Sequence, residues 1–364
     1  MAAVIPPRPA PAAPAPRWRR FAPTFVLAGL GFGLAAIGFV AALDPYGLRA
    51  QPGRPGAILD RNQRFMYPRI ARAGGYEAAV FGTSTARLLD PHDLDRAFGV
   101  RFANLAVNAA TPDEQRTLAR LFLRRNAVRA VLFALDATWC AADPPRRTAH
   151  PFPDWLYAEG APWGWLRQVN GQSLGIAAQV ALHRLGLAPA RIRGDGFSVF
   201  TPPEAAYDPV RAARHIHGGT ALDPEAAGPD AVPVPAARAG ATGSGAGAMP
   251  MLDELDALLA AVPERAQKLV AFMPVHVAAQ GAAGSAEGAR EAACKARVAA
   301  IGRARGAVVV DFRLPSPITT RDANYWDALH YRLPVAARIV AGLRAAAETG
   351  RDAEDGGYRV LAHP

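Results

Sequence analysis

The stretch Phe81-Gly82-Thr83-Ser84-Thr85-Ala86 decides how the rest of this 364-residue chain is interpreted. It ends a short apolar run over 78–81, typical of a buried strand, and the chain then turns through Gly82 into polar residues and a predicted helix. An α/β sheet places ligands and nucleophiles just beyond the carboxyl end of a parallel strand. Ser84 is therefore a candidate nucleophile, with the alternative that it is a plain helix cap.

A second candidate group lies near the C-terminus, in Tyr325-Trp326-Asp327-Ala328-Leu329-His330-Tyr331. An aspartate and a histidine three residues apart can share one face of a turn. The carboxylate of Asp327 would then orient the imidazole of His330, while the other ring nitrogen faces a nucleophile. These residues predict a catalytic triad of Ser84, His330 and Asp327 that attacks an ester or a similar acyl carbonyl.

The order of these motifs resembles that of the SGNH (GDSL-type) hydrolase superfamily. The matching blocks are Gly82-Thr83-Ser84, then 104–111 with the sequence NLAVNAAT, and finally Asp327-Ala328-Leu329-His330. The resemblance implies that Ala109 stands where the family has the second-block glycine, whose backbone N–H stabilises the oxyanion. Thr83 replaces the aspartate of the family's first block.

The remaining site candidates follow the predicted strands. The nearest match to the family's oxyanion-donating asparagine is Asp136, which either accepts hydrogen bonds from loop amides or opposes an oxyanion by its charge. Asn108 is a candidate substitute donor, or else a partner of the local backbone. His276 ends a predicted strand, so it is either a residue of the substrate cleft or an ordinary loop histidine.

Strands and helices alternate along 76–348, which predicts an α/β domain with a central parallel sheet. The resemblance implies a three-layer, flavodoxin-like sandwich. We expect a cap or lid over 140–217, a flexible insertion over 218–248, where large apolar side chains are almost absent, and a tail over 349–364.

The N-terminal region predicts a membrane anchor. After a Pro- and Ala-rich basic tail over 1–20, expected to be disordered, the run from Phe21 to Leu43 contains no charged residue. That length can cross a bilayer core of about 30 Å. Arginines 17, 19 and 20 precede the run, so the N-terminus should stay cytoplasmic and the domain should face outward from the inner membrane. Residues 44–75 are interpreted as the membrane-exit loop.

The formal net charge of +10 arises almost entirely from arginine, without a basic cluster interleaved with aromatic residues, so nucleic acid is not predicted as a partner. Cys140 and Cys294 lack metal-ligand spacing; they are either buried thiols or, in an exported domain, a disulfide. His215 and His217 have a spacing that suits a metal on a strand, but no third ligand is near them in sequence. Neither a metal nor a cofactor is predicted.

An anchored, outward-facing SGNH-like domain resembles the accessory proteins of bacterial envelope acylation, such as those of alginate O-acetylation and teichoic-acid D-alanylation. Asp44-Pro45-Tyr46 and the 104–107 stretch are similar to that branch. The resemblance implies a serine esterase or O-acyltransferase that acts on an acylated carbohydrate or envelope polymer, with a membrane-bound acyltransferase as a candidate partner. The alternatives are a catalytically impaired SGNH-like scaffold of such a complex and an unrelated α/β protein.

Overall fold

Six strands form one sheet in the computed structural model, which describes residues 18–49, 56–158, 164–218 and 247–364. In chain order they are β1 Ala78–Phe81, β2 Phe102–Asn104, β3 Ala130–Leu135, β4 Gln267–Phe272, β5 Val308–Asp311 and β6 Arg359–Ala362. Their order across the sheet is β2-β1-β3-β4-β5-β6. The first five strands run parallel, and β6 pairs antiparallel with β5. This arrangement confirms the predicted α/β fold with a central, mostly parallel sheet.

Helices cover both faces of the sheet. They are α1 Trp18–Leu43, α2 Gln63–Arg72, α3 Pro91–Phe98, α4 Pro112–Arg125, α5 Asp154–Tyr157, α6 Gly171–Arg184, α7 Pro209–Gly218, α8 Pro250–Ala261, α9 Ala286–Arg305 and α10 Leu333–Thr349. One apolar core contains residues of α2, α4, α8 and α9, and a second core contains residues of α3 and α10. The inner strands β1 and β3 are buried along their whole length, as expected of a parallel sheet covered on both faces.

The start of α4 shows how local sequence sets an element boundary. The Thr111 hydroxyl accepts a hydrogen bond from the Glu114 backbone N–H at 3.2 Å, and the Glu114 carboxylate accepts one from the Thr111 N–H at 3.2 Å. Pro112 occupies the first helical position, where it has no hydrogen bond to lose. These capping residues therefore fix the position at which α4 begins after β2.

Three boundaries differ from the sequence-based expectation. The segment expected as an exit loop contains α2, because its apolar side chains pack into the core beside α4. The segment expected as a C-terminal tail contains β6, which pairs with the otherwise open edge of β5. The sequence also predicts one strand over 100–107, and the structure limits it to β2. Residues 1–17 of the expected tail, and 219–246 of the expected insertion, lie outside the described residues.

Helix α1 is the long apolar element that the charge-free run predicts. The segment Arg20–Leu43 has a mean hydropathy of 2.3 over its most apolar window, and only 6% of that window is buried. Its length and composition are sufficient to cross a membrane. The C-terminal end of α1 nevertheless contacts the domain, because Val40 is buried and the helix packs against α6.

Cys140 and Cys294 form a disulfide, with their Cα atoms 5.6 Å apart. Of the two alternatives that the sequence leaves open, the structure therefore contains the bridge and not two free thiols. Cys140 ends the short 3-10 helix Ala137–Cys140 after β3, and Cys294 lies on α9. The bridge joins the loop at the carboxyl end of β3 to a helix that the chain reaches about 150 residues later.

Candidate active site

The strand order places Ser84 at the position where ligands bind in open α/β sheets. Strand β1 has β2 on one side and β3 on the other, so the chain changes direction across the sheet at β1. A crevice forms outside the carboxyl ends of the strands at such a switch point. Ser84 begins the 3-10 helix Ser84–Ala86, three residues after the end of β1, and its side chain is only partly buried.

Gly82 allows the chain to turn there. A Cβ atom at this residue would lie 2.9 Å from both the Cβ and the carbonyl oxygen of Ala134 in β3. Such a distance is shorter than a van der Waals contact, so any side chain at Gly82 would push the turn away from the sheet. The glycine before Ser84 is thus required by the close approach of β3.

Ser84, His330 and Asp327 form a continuous chain of hydrogen bonds. The Ser84 Oγ lies 2.9 Å from His330 Nε2, and His330 Nδ1 lies 2.8 Å from Asp327 Oδ2. Because the ionised carboxylate can only accept, Nδ1 carries the hydrogen and donates it to Asp327. Nε2 is then the acceptor for the Ser84 hydroxyl, which is the arrangement that a general base requires.

A tight loop holds the aspartate and the histidine in this orientation. Tyr325 and Tyr331 form an isolated antiparallel bridge, and the Trp326 N–H donates to the His330 carbonyl at 2.8 Å. Inside the loop, Asp327 Oδ1 accepts hydrogen bonds from the backbone N–H groups of Leu329 at 2.7 Å and His330 at 2.8 Å. One carboxylate oxygen therefore stabilises the loop while the other orients the imidazole.

The electrostatics keep Asp327 ionised. Burial alone would raise the pKa of this carboxyl group, but the His330 side chain and the two backbone N–H groups together hold the pKa below its ordinary value. A carboxylate that accepts several hydrogen bonds favours its charged form for this reason. Asp327 can therefore stabilise the positive charge that His330 acquires when it takes a proton.

Asn104 fixes the turn that carries Ser84. Its fully buried side-chain amide donates to the carbonyl groups of Ala86 at 2.9 Å and Leu89 at 2.8 Å, both in the segment after Ser84. The Tyr331 hydroxyl donates to the Thr85 carbonyl from the opposite side. Asn104 and the loop of the Asp–His pair therefore both hold this turn, so Ser84 and His330 share one support.

Ala109 has a left-handed backbone conformation. Its φ is +48°, and the only other positive-φ residue besides glycines in the described ranges is Asp44. The Arg64 guanidinium donates to the Ala109 carbonyl at 3.3 Å and pairs with the buried Glu114 at 2.8 Å. Neither the Ala109 N–H nor the Ser84 N–H donates a hydrogen bond to any described residue. Both are available as oxyanion donors.

Asn108 lies beside the site as part of a network that the sequence does not reveal. Its Oδ1 accepts from Arg87 at 2.8 Å, and its Nδ2 has no acceptor among the described residues. Arg87 also donates to Ser198 at 2.7 Å and lies 4.6 Å from the ring centre of Phe200, which packs edge-on against His330. Ser198 and Phe200 belong to the predicted cap, and no spacing in the sequence points to them, since they are more than 100 residues from Arg87.

Asp136 serves its own loop. Its Oδ1 accepts hydrogen bonds from the Thr138 N–H at 2.8 Å and from the Thr138 hydroxyl, capping the short helix that ends at Cys140. This contact corresponds to the structural alternative of the two that the sequence suggests for Asp136. Among the described residues, no hydrogen bond connects Asp136 to the Ser84–His330–Asp327 chain.

The backbone of His276 contacts the loop of the Asp–His pair, but its imidazole ring has other partners. Its N–H donates to the Ala328 carbonyl at 2.8 Å, its Nδ1 accepts from the Ala278 N–H at 3.2 Å, and its Nε2 lies 3.1 Å from Asp322. Burial lowers the pKa of His276, although the Asp322 carboxylate opposes this shift. The ring therefore contacts none of the three candidate catalytic side chains.

His215 and His217 lie on helix α7 and not on a strand. Side chains two residues apart on a helix do not face each other, so their spacing does not form a common metal site. His217 instead lies 3.0 Å from the second carboxylate oxygen of Asp322. In the described ranges, no group of three or more His, Cys, Asp or Glu side chains is arranged so that it could hold a metal ion.

Trp326 and Tyr331, which flank the Asp–His pair, are buried and contribute to packing in this structure. Comparisons of the chain with protein-family models, with curated proteins and with solved structures gave no match.

Proposed function

We propose that this protein is a membrane-anchored serine acyl hydrolase or O-acyltransferase that acts on an ester of a cell-envelope glycan or polysaccharide. The observation that carries the proposal is the Ser84–His330–Asp327 chain, with contacts of 2.9 and 2.8 Å. Each of the three groups has the partner that its role needs, and Ser84 lies just beyond the carboxyl end of β1, where it is only partly buried.

The chemistry follows from this geometry. The Ser84 Oγ attacks the acyl carbonyl while its proton passes to His330 Nε2, and Asp327 stabilises the resulting imidazolium. The N–H groups of Ser84 and Ala109 bind the oxyanion. The protonated His330 then gives its proton to the departing alcohol, which leaves an acyl group on Ser84. Water or an acceptor hydroxyl, deprotonated by His330, attacks this ester and releases the serine.

Two further observations support an envelope location. The charge-free run of α1, from Phe21 to Leu43, follows arginines 17, 19 and 20 in sequence, which is typical of a signal anchor with a cytoplasmic N-terminus. The Cys140–Cys294 disulfide suits an oxidising compartment outside the cytoplasm. The glycan substrate and a membrane-bound acyltransferase partner are inferred from the resemblance to envelope-acylation proteins.

Labelling by a fluorophosphonate probe tests the proposal, because only an activated serine reacts with it. We expect the full-length protein in detergent to be labelled and Ser84→Ala to remain unlabelled. Ser198→Ala is the matched control: this serine lies near the site and binds Arg87, but it has no contact with His330 in the described residues. It should be labelled like the wild type.

If the wild-type protein is folded and remains unlabelled, the serine mechanism is wrong. The impaired scaffold of an envelope complex then becomes the better interpretation. Labelling that persists in Ser84→Ala would assign the nucleophile to another residue.

A further inference from the structure

Helix α6 has an exposed apolar stripe. Its four residues are spaced at intervals of four, four and three, which places them on one side of the helix. They are Leu174, Ala178, Leu182 and Leu185. Leu182 is 38% exposed, and Leu185, the residue just after the helix, is 72% exposed. Leu166, Val169 and Leu187 add exposed apolar surface at the two flanks.

The stripe is not the side by which α6 packs onto the domain. That side consists of Ser173, Ile176, Ala177 and Val180, all of which are buried. A contiguous apolar surface that a soluble fold leaves uncovered marks a site of interaction. The helix therefore has one face for the domain and another for something outside it.

The position of α6 indicates what covers the stripe. Helix α1 packs against α6, and the Tyr46 hydroxyl, just after the end of α1, lies 3.0 Å from the hydroxyl of Ser173 on α6. Both hydroxyls are buried. Helix α6 is thus held at the point where the candidate membrane span joins the domain, so a bilayer crossed by α1 would lie directly beside it.

The charges around the stripe match a lipid surface. Arg167 precedes α6, Arg184 ends it, and Arg191 follows it; all three are exposed. None of them pairs with a carboxylate in the described part of the chain. Apolar side chains bordered by arginines are typical of helices that lie in the interface of a membrane with anionic phospholipids.

We propose that α6 and its flanks, 166–191, form a second membrane contact that lies in the headgroup region of the bilayer crossed by α1. The proposal rests on the anchor of the proposed function and is independent of the serine chemistry. The first contact would fix the distance of the domain from the membrane, and the second would restrict its rotation about α1, which limits the directions in which Ser84 can face.

Depth-dependent fluorescence quenching tests this contact in the full-length protein. Leu182→Cys and Leu185→Cys, each labelled with an environment-sensitive dye, would be reconstituted in vesicles of phosphatidylcholine and phosphatidylglycerol. The native cysteines are joined to each other, so the dye reports the new position alone. We expect a blue-shifted emission of the dye at both positions. Most of the emission intensity should be lost when the lipids carry a quencher near the headgroup.

Two matched positions make the result interpretable. Phe32→Cys, on the 76% exposed Phe32 of α1, should be quenched by lipids with a quencher deep in the acyl chains. Arg344→Cys, on α10 at the opposite face of the sheet, should not be quenched by either lipid. Two changes should weaken the second contact: the double substitution Arg167→Gln and Arg184→Gln, and the use of vesicles of phosphatidylcholine alone. Each should reduce the quenching of the dye at position 185 and leave the quenching at position 32 unchanged.

If the dye at Leu182 and Leu185 behaves like that at Arg344 while Phe32 is quenched, the second contact is wrong and the anchor stands. In that case the stripe faces water or a protein partner. If Phe32 is not quenched, both the anchor and the second contact are wrong. Labelling of Ser84 by the fluorophosphonate probe is scored separately and distinguishes either failure from failure of the serine chemistry.

Discussion

Three side chains from two distant loops carry the proposed chemistry, and Asp327 is the one whose substitution best separates geometry from charge. Asp327→Asn keeps the size of the side chain but favours the wrong imidazole tautomer, since the amide can donate to Nδ1. By analogy with other triads we expect a loss of up to about 10⁴ in kcat/KM on a chromogenic ester. An activity near that of the wild type would mean that Asp327 only stabilises its loop.

Asp136→Asn is the control for that substitution. The asparagine oxygen can still accept from Thr138, so we expect activity close to that of the wild type and a small loss of stability. If the charge of Asp136 instead opposes the oxyanion, the rate should rise, because one restored donor contributes about 3 kcal/mol. The same kinetic assay separates the two outcomes, since the first leaves the rate nearly unchanged and the second raises it.

Ala109 stores backbone strain that a glycine would relieve. A left-handed conformation costs a residue with a Cβ about 1–2 kcal/mol, part of which the lower entropy of the unfolded alanine chain offsets. We expect Ala109→Gly to raise the free energy of unfolding by up to about 1 kcal/mol and to keep activity, because the N–H remains. Urea denaturation measures this change. Ala110→Gly, at a buried neighbour without positive φ, should lower stability instead.

At the scale of secondary-structure elements, the disulfide joins the loop after β3 to α9. The double variant Cys140→Ser, Cys294→Ser removes this bridge. We expect its free energy of unfolding to be lower by about 2–4 kcal/mol, since the bridge closes a long loop of the unfolded chain. Thermal unfolding with and without a thiol reductant measures the effect. The reductant should lower the Tm of the wild type and leave that of the double variant unchanged. Equal Tm values for the wild type in both conditions would argue against a structural bridge.

At the scale of the whole molecule, the orientation of α1 decides which compartment the site faces. A reporter that is active only outside the cytoplasm, fused after residue 364, should be active, because the arginines before the charge-free run of α1 favour a cytoplasmic N-terminus. Replacing arginines 17, 19 and 20 by glutamate should reduce the exported fraction. An inactive fusion, together with activity of a second fusion whose reporter works only in the cytoplasm, would reverse the orientation and exclude an envelope substrate.

Features that depend on neighbours along the chain could be predicted without knowledge of the fold. The apolar run into Gly82, the capping residues of α4, the charge-free run of α1 and the Asp-x-x-His spacing all act over a few residues. Local propensity and hydrogen bonding suffice for such elements. For the same reason the α/β fold and the three candidate catalytic residues could be predicted.

Contacts between groups that are distant in the chain depend instead on how the elements pack in three dimensions. Ser84 and His330 are 246 residues apart in the chain, and their contact depends on strand order and on the packing of two loops. Four other contacts are equally non-local. They are Phe200 against His330, the disulfide between the two cysteines, the pairing of β6 with the sheet edge, and the ion pair of His276 with Asp322. Such contacts form because the whole core fixes the backbone around them, and no spacing in the sequence encodes that geometry.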